Sequence, residues 1–317
     1  MDIADTRVSP VRLVAIVGPT AVGKTAAAIE LARRLEADII SADSMAIYRG
    51  MNIGTAKPTI GEQRLARFHM IDVVNPDEPF TVADFQEAVV SIIDSLITEN
   101  KTPLLVGGTG LYIRAALDGL DIPSAPPNPE FRKRMIELAE SEGNQAVHEM
   151  LRKVDPVTAE RLHVNDLKRI IRALEVYEQT GVPMSGQYAK SKKPRYPEAV
   201  QFGLTIDRQE LYKRIDERVD DQLRCGLVEE VAALLDKGYN TDLPAMQGLG
   251  YKEIAPYIKG ESSFEEVTDT LKRNTRRFAK RQLTWFRADG RIRWIDSTCL
   301  TPDAIADRIL NELRQLQ

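Results

Sequence analysis

The sequence predicts an α/β fold whose parallel sheet is interrupted by a helical insertion. Short apolar runs alternate with segments of helical periodicity at the start of the chain, the pattern of strands joined by crossover helices. Four prolines between residues 121 and 129 then mark a boundary, and only helical patterns follow. We therefore assign residues 1–121 and 198–317 to the α/β core, and residues 122–197 to the insertion.

The first predicted strand and helix flank a glycine-bearing turn. Leu13 to Val17 is a short apolar run that ends at a glycine, which predicts a buried strand. From Thr25 to Leu35, apolar residues recur at helical spacing. A second short strand is predicted from Asp38 to Ser41.

The next helix has a recognisable beginning. Thr81 to Asp84 has the pattern of a capping box and predicts a helix that continues to about Asn100. Leu104 to Val106 predicts another buried strand, which Gly107 and Gly108 end. The apolar stripe of the helix consists of Phe85, Val89, Ile92, Ile93 and Leu96.

The insertion and the return to the core follow from composition. Glu130 to Gly181 predicts helices, and Pro183 to Pro197 predicts a flexible link with the charged residues Lys190, Lys192, Lys193 and Arg195. Phe202 to Ile206 predicts a strand of the core. Helices are predicted from Arg208 onward, the last of them amphipathic and near Pro302 to Leu316.

The turn after the first strand is the strongest chemical motif in the chain. It matches GxxxxGK[ST] between a strand and a helix, which predicts a P-loop whose backbone N–H groups surround a phosphate. Lys24 would reach the outer phosphate, and the hydroxyl of Thr25 would hold Mg²⁺. The core is thus predicted to be P-loop NTPase-like. The predicted phosphate-binding residues are Gly18, Pro19, Thr20, Ala21, Val22, Gly23, Lys24 and Thr25.

Two familiar nucleotide-hydrolysis motifs do not accompany this loop. The sequence has no NKxD-type guanine motif. The apolar run Leu104 to Val106 ends in glycine, whereas a Walker B strand would end in Asp or Glu. A motor-type or switch-type NTPase is therefore disfavoured.

Bulk composition predicts a cytoplasmic globular protein. The chain has 317 residues, 43% of them hydrophobic and 28% charged. No apolar run approaches the roughly 20 residues of a membrane span, and the first residues lack a secretory signal pattern. Cys225 and Cys299 are far apart and predict isolated thiols in a reducing compartment.

The charge is unevenly distributed. The net charge is −4, yet residues 272–293 contain nine basic residues against the single acidic Asp289. A solvated helix face is the ordinary interpretation of such a cluster. A surface that binds a polyanion is the functional one.

Six motifs in series carry a family resemblance that spans roughly Leu13 to Trp294. In this order, the series strongly resembles the bacterial tRNA dimethylallyltransferases. The motifs are Asp43 to Pro58, His69 to Asp72, Gly107 to Tyr112, His163 to Glu175, Gly248 to Tyr251 and Lys280 to Trp285.

The resemblance implies prenyl transfer. The donor would be dimethylallyl diphosphate, and the acceptor would be N6 of the adenosine just 3′ of the anticodon in tRNA, with Mg²⁺ as cofactor. Asp43 matches the family's general base, and Thr109 matches the residue that bonds near the reacting amine or the diphosphate. Lys24 would stabilise the leaving diphosphate.

The same resemblance implies a tRNA-binding surface on a protein that we expect to be a monomer. For Trp285 and Phe286 alone, the sequence favours a place in the core over a platform on which RNA bases stack. The residues predicted to contact tRNA are Asp43, Ser44, Met45, Ala46, Thr109, Arg132, Lys168, Arg169, Ile170, Ile171, Arg172, Gln247, Gly248, Leu249, Gly250, Tyr251, Lys252, Lys280, Arg281, Gln282, Thr284, Trp285 and Arg287.

One position departs from the family pattern, and three other functions stay open. Many relatives have Gln where this chain has Ala46, so a hydrogen bond to the target base made by that Gln is absent here or made by another group. The alternatives are an adenylate isopentenyltransferase acting on a free nucleotide, a P-loop small-molecule kinase, and an RNA-binding module with a vestigial loop.

Overall fold

A computed structural model describes residues 13–122, 125–188 and 194–316 of the protein. The chain divides into two compact units, one comprising Met1–Leu117 with Tyr196–Gln317 and the other Asp118–Arg195. These divisions lie within a few residues of the boundaries predicted from the proline-rich stretch and from the predicted link. Lys190, Lys192 and Lys193 of that link lie outside the described residues.

The first unit is built on a sheet of six strands in the order β3-β2-β4-β1-β5-β6. Every neighbouring pair is parallel, as the alternation of strands and helices predicts. The strand that leads into the phosphate loop, β1, lies between β4 and β5. The strands are β1 Val14–Val17, β2 Asp38–Ser41, β3 Phe68–His69, β4 Pro103–Gly107, β5 Val200–Thr205 and β6 Ile292–Asp296.

The helices of the first unit cover the sheet and extend beyond it. They are accompanied by a 3₁₀ turn, Ala245–Gln247. The helices of both units, in chain order, are α1 Lys24–Leu35, α2 Ile60–Gln63, α3 Val82–Thr98, α4 Gly110–Asp118, α5 Pro129–Glu142, α6 Asn144–Val154, α7 Pro156–Arg161, α8 Leu167–Thr180, α9 Met184–Tyr188, α10 Arg208–Arg224, α11 Leu227–Asp236, α12 Tyr251–Ile258, α13 Phe264–Arg287 and α14 Pro302–Gln315.

Both faces of the sheet are buried, because side chains alternate along each strand. Val14 and Ile16 of β1 pack in a cluster with α1 and α14. Ala15 and Val17 face the opposite way, into a cluster with α3 and α4. The residues of β1 are therefore apolar throughout, and the loop at its end is held by a strand in the middle of the core.

The predicted capping box at the start of α3 is confirmed. The hydroxyl of Thr81 accepts a hydrogen bond from the Asp84 N–H, and the Asp84 carboxylate accepts one from the Thr81 N–H at 2.7 Å. Phe85, Val89 and Ile93 on the predicted stripe are fully buried.

Two strands were not predicted from the sequence. The first of them, β3, has only two residues, too few for a periodic pattern. The second, β6, has the sequence IRWID, which overlaps the end of the basic stretch and does not alternate strictly between apolar and polar residues. We interpreted that stretch as part of a charged helical surface, but pairing with β5 makes residues 292–296 an edge strand.

The second unit has its own apolar core, formed by α5, α6, α7 and α8. Glu175 of α8 is buried and joined by both nitrogens of the Arg132 guanidinium fork, each at 2.8 Å. It also binds Arg172 at 2.5 Å and accepts the Asn128 N–H at 2.7 Å. Burial by itself would raise the pKa of Glu175, but these hydrogen bonds and the positive charge of Arg132 outweigh it and lower the pKa.

Nowhere in the described ranges does a helix combine the length and the apolar character that crossing a bilayer requires. Cys225 and Cys299 are both free thiols, as predicted.

Candidate active site

The phosphate loop adopts backbone conformations that explain its glycines. Gly18 has a φ of 147°, and a Cβ there would lie 2.6 Å from the Leu204 carbonyl oxygen of β5. Gly23 has a φ of 97° and immediately precedes α1. Such values favour glycine because it has no side chain to clash. The loop therefore curls at the N-terminus of α1, where helix N–H groups favour an anion.

Lys24 of this loop is held in an environment that opposes its charge. Its Nζ donates a hydrogen bond to the Pro19 carbonyl oxygen at 2.6 Å. Burial and the positive charge of Arg218 lower the pKa of Lys24 to about 7, and Asp43 partly opposes them. An anion bound in the loop would stabilise the charged form of Lys24, which burial and Arg218 disfavour.

Arg218 of α10 is a functional candidate that we did not identify from the sequence. It lines the same cavity as Lys24, and burial lowers the pKa of its guanidinium. A pattern in α10 could have identified it. The buried stripe of α10 consists of Leu211, Ile215 and Val219. Arg218 lies seven residues after Leu211 and three after Ile215, so it shares their side of the helix. An arginine on the apolar side of an amphipathic helix needs a polar site to face.

Asp43 follows the end of β2 and forms a local turn. Its Oδ1 accepts the Met45 N–H at 2.8 Å and the Ala46 N–H at 3.4 Å. The residue also lines the cavity and acts electrostatically on both Lys24 and Arg218. A carboxylate and two cations therefore share one site at the carboxyl edge of the sheet, where open α/β sheets bind ligands.

Thr109 joins its own loop to the segment that follows Asp43. Its Oγ1 accepts the Ser44 N–H at 3.1 Å, and its backbone N–H donates to the Ala42 carbonyl oxygen at 3.2 Å. A Cβ on Gly107 would lie 2.2 Å from that same carbonyl oxygen, so the close approach requires glycine there. The double glycine is therefore a packing requirement that positions Thr109.

The cavity has a volume of about 410 Å³ and two kinds of lining. Side-chain oxygen atoms come from Thr25, Ser41 and Asp43, and oxygen is the donor that Mg²⁺ prefers. The predicted cofactor thus fits the residues present. Apolar side chains also line the cavity, together with the charged Lys57 and Glu62, and they are Ile39, Ala46, Phe68, Val106 and Phe278.

Several residues predicted to contact tRNA are instead buried, which corrects those predictions. Ile170 and Ile171 belong to the core of the helical unit, since α8 turns its apolar stripe inward. Tyr251 is fully buried, and its hydroxyl donates to Glu230 Oε1 at 2.6 Å. Gln282 is buried too, but it lines the same cavity as Lys24, so its contact with substrate stays a prediction.

The loop before α12 is likewise packed against protein. Gly248 and Gly250 are buried, and Leu249 is partly buried. A Cβ on Gly248 would lie 2.4 Å from Cε of Met45, so this loop contacts the segment after Asp43. We predicted that its glycines let RNA approach the backbone, but the close neighbour is the protein itself. Gln247 and Lys252 are exposed.

Ion pairs occupy part of the predicted basic surface. Lys272 pairs with Asp220 of α10 at 2.6 Å, and Arg276 pairs with Asp216. Arg169 is exposed and pairs with Asp166 at 2.9 Å. Arg132 and Arg172 serve the buried Glu175 as described above. The charge excess counted from the sequence is therefore partly neutralised within the protein.

The far end of α13 remains an exposed basic and aromatic surface. Trp285 is 43% exposed while Phe286 is buried, so the core interpretation holds for Phe286 alone. The exposed residues at this end are Lys280, Arg281, Thr284, Trp285 and Arg287, and Lys168 is exposed on α8 of the other unit. Contact of any of them with RNA remains a prediction.

Comparison with known proteins adds an independent line of support. The model of the family described as IPP transferase matches residues 46–289. The chain is 50% identical over 309 residues to the tRNA dimethylallyltransferase of Desulforudis audaxviator, covering 96% of this chain and 99% of that protein. It is 50% identical over 287 residues to tRNA dimethylallyltransferase 1 of Pelobacter propionicus, covering 90% and 92%.

Solved structures agree with the sequence relatives. A full-length tRNA isopentenylpyrophosphate transferase from Bacillus halodurans matches with a TM-score of 0.71 and 42% identity, over 96% of this chain and 97% of that one. A eukaryotic dimethylallyltransferase described as acting on tRNA matches with a TM-score of 0.79 and 27% identity, over 94% and 77%. The phosphate loop, the six motifs in series and these similarities together lead to one conclusion: the chain belongs to the IPP transferase family.

Proposed function

We propose that this protein transfers a dimethylallyl group from dimethylallyl diphosphate to N6 of the adenosine 3′ of the anticodon in tRNA. The observation that carries the proposal is the meeting of Lys24, Arg218 and Asp43 in one cavity, whose lining includes the anion-binding loop and several apolar side chains. The relatives named above, which are tRNA dimethylallyltransferases, support the choice of reaction.

The phosphate loop suits a departing diphosphate. When the allylic C1–O bond breaks, its electron pair leaves with the diphosphate oxygen and negative charge grows there. Groups already aimed at that charge lower the barrier without reorganising. Lys24 and Arg218 would supply the positive charge, and the backbone N–H groups at the start of α1 would supply hydrogen bonds.

Magnesium would be held by Thr25, and it would neutralise further charge on the diphosphate when bound. Lys24 and Arg218 are the positive charges that the chain itself would supply in addition to the metal ion.

Asp43 suits the nucleophile. The lone pair of adenine N6 is delocalised into the ring, so the amine attacks carbon poorly without help. In the proposed step, N6 forms a bond to C1 of the allyl group while the Asp43 carboxylate accepts a proton from N6. Asp43 Oδ1 is already engaged by the backbone of its own turn, which fixes the orientation of the carboxylate.

The apolar lining suits the hydrocarbon part of the donor. Phe68, Val106 and Phe278 lie in the wall of the cavity together with Ile39 and Ala46. Apolar side chains stabilise a five-carbon chain and keep water from the reacting carbon. Attack of water on that carbon would yield an alcohol in place of the prenylated product.

The deciding experiment is mass spectrometry of an anticodon stem-loop incubated with the protein, Mg²⁺ and dimethylallyl diphosphate. We expect the mass of one isopentenyl group on the adenosine 3′ of the anticodon, with release of diphosphate and without ATP. Prenylation of AMP in place of the stem-loop would instead indicate the adenylate enzyme. Transfer of the terminal phosphate of ATP would indicate a kinase and refute the proposal. Because the acceptor is tRNA, we place this activity in the cytoplasm.

A further inference from the structure

Gln282 is the one residue of α13 that we predicted to contact tRNA and that lies buried, at 7% exposure. Both ends of its carboxamide are used inside the protein. Its Oε1 accepts the backbone N–H of Thr20 in the phosphate loop at 2.9 Å. Its Nε2 donates to the Gly108 carbonyl oxygen at 2.9 Å. One side chain therefore bridges two loops that are far apart in sequence.

The fit around this bridge is close. A Cβ on Gly108 would lie 2.2 Å from Nε2 of Gln282. A Cβ on Gly110 would lie 2.1 Å from Cδ1 of Trp285, which belongs to the same helix. Helix α13 thus contacts the chain on both sides of Thr109, and a side chain at Gly108 would displace the Gln282 amide from its hydrogen bonds.

The two bridged loops carry different parts of the proposed chemistry. The phosphate loop carries Lys24, which would hold the leaving diphosphate. The other loop carries Thr109, whose hydroxyl accepts the N–H of Ser44, the residue after Asp43. The Gln282 bridge therefore connects the loop that would hold the leaving diphosphate to the loop that anchors the turn of Asp43 through Ser44.

We propose that Gln282 is a positioning residue that fixes the phosphate loop relative to the loop of Thr109. This inference rests on the proposed function, since it assigns the two loops to the two halves of one transfer. A shift of about 1 Å in the distance between reacting groups can reduce a rate by about a hundredfold. Loss of the bridge should therefore lower kcat and weaken diphosphate binding, while the KM for tRNA stays unchanged.

The test uses three variants with the full-length protein. Gln282→Met keeps the length of the side chain and removes both hydrogen bonds. Gln282→Glu keeps the acceptor for Thr20 but places an oxygen against the Gly108 carbonyl. Gln315→Met, the same substitution at an exposed position of α14, is the matched control.

Calorimetric binding of inorganic diphosphate with Mg²⁺ is the first measurement, because it does not depend on the transfer reaction. We expect the Gln282→Met variant to bind at least about tenfold more weakly, because the buried Gly108 carbonyl and the partly buried Thr20 N–H would lose their partner. Gln315→Met should bind like the wild type. Thermal unfolding establishes that each variant is folded. Should Gln282→Met not fold, Gln282→Asn, which keeps the amide but shortens it, should show the same weakening.

The second measurement is a kinetic profile against pH. In Gln282→Glu, the introduced carboxyl can donate to the Gly108 carbonyl oxygen only when it is protonated. The rate of this variant relative to wild type should therefore fall as pH rises through the pKa of that carboxyl. A substitution that only loosened the core would give a ratio that does not change with pH.

Two results would overturn the inference. Diphosphate binding and kcat equal to wild type in Gln282→Met would show that the bridge positions nothing. A raised KM for tRNA with a shallower salt dependence, and unchanged diphosphate binding, would return Gln282 to direct RNA contact. If the proposed function is wrong, the wild type will transfer no prenyl group. The calorimetric comparison of diphosphate binding between wild type and variants will still test the bridge, so the two failures are distinguishable.

Discussion

Diphosphate binding should draw a proton onto Lys24, and the structure sets the pH range of this effect. With a pKa of about 7 in the ligand-free protein, Lys24 is half protonated at pH 7 and about 1% protonated at pH 9. An anion beside the ammonium favours its charged form, so binding should raise the pKa toward the ordinary value near 10.5. Affinity for diphosphate should therefore be greatest below pH 7 and fall as pH rises above it.

The size of the fall follows from those two pKa values. Between pH 7 and pH 9, deprotonation of Lys24 should by itself weaken diphosphate binding by about 50-fold, and at pH 9 Lys24 should take up about one proton in each binding event. Calorimetry at pH 9 in two buffers of different ionisation enthalpy counts the protons directly. Fluorescence or calorimetric titration across the pH range gives the affinity.

Two variants separate Lys24 from other titrating groups. Lys24→Arg keeps a positive charge that does not titrate in this range, so its proton uptake at pH 9 should be close to zero. Arg218→Met removes the positive neighbour that helps to lower the pKa of Lys24, so the fall in affinity should begin at a higher pH. An affinity that is constant from pH 7 to pH 9, with no net proton uptake in the wild type, would refute this account of the site.

Three further predictions concern single substitutions at Asp43, Arg281 and Gly54. Replacing Asp43 by Ala should abolish turnover and leave tRNA affinity largely intact, and a near-normal rate in a prenyl-transfer assay would remove Asp43 as the base. Arg281→Ala should weaken tRNA binding and lower the slope of log affinity against log salt by about one, whereas an unchanged slope would make Arg281 an ordinary solvated residue. Gly54→Ala should reduce the free energy of unfolding by about 1–3 kcal/mol, because its Cβ would lie 2.5 Å from the buried Tyr251 ring. Denaturant titration measures the loss against Gly290→Ala, where a Cβ meets open space without a left-handed φ, and equal stability of the two variants would show that the ring can move aside.

The Arg281 prediction depends on its exposure on α13. Its guanidinium carbon lies 5.7 Å from the centroid of the Phe278 ring, and it is exposed beside the buried Gln282. Arg169 has a carboxylate partner, Asp166, whose pairing a phosphate would have to displace. We therefore expect Arg169→Ala to reduce tRNA affinity less than Arg281→Ala.

Much of the framework could be predicted because its determinants are local. The strands β1, β2 and β4 are short apolar runs ended by turn residues, and the start of α3 is a capping box within four residues. Edge strand β6 was missed because its pairing with β5 depends on a segment about 90 residues earlier in the chain. No local pattern carries that information.

The sequence by itself determined the phosphate loop, since the glycines, Lys24 and Thr25 lie within eight consecutive residues and need only a strand before them and a helix after them. Only the tertiary structure decided which distant residues join that loop. Arg218 enters the cavity and Gln282 reaches Thr20 because α10 and α13 pack where they do, and the same packing buries Tyr251. Spacing along a helix tells which residues share a face, but what that face meets is fixed by long-range packing.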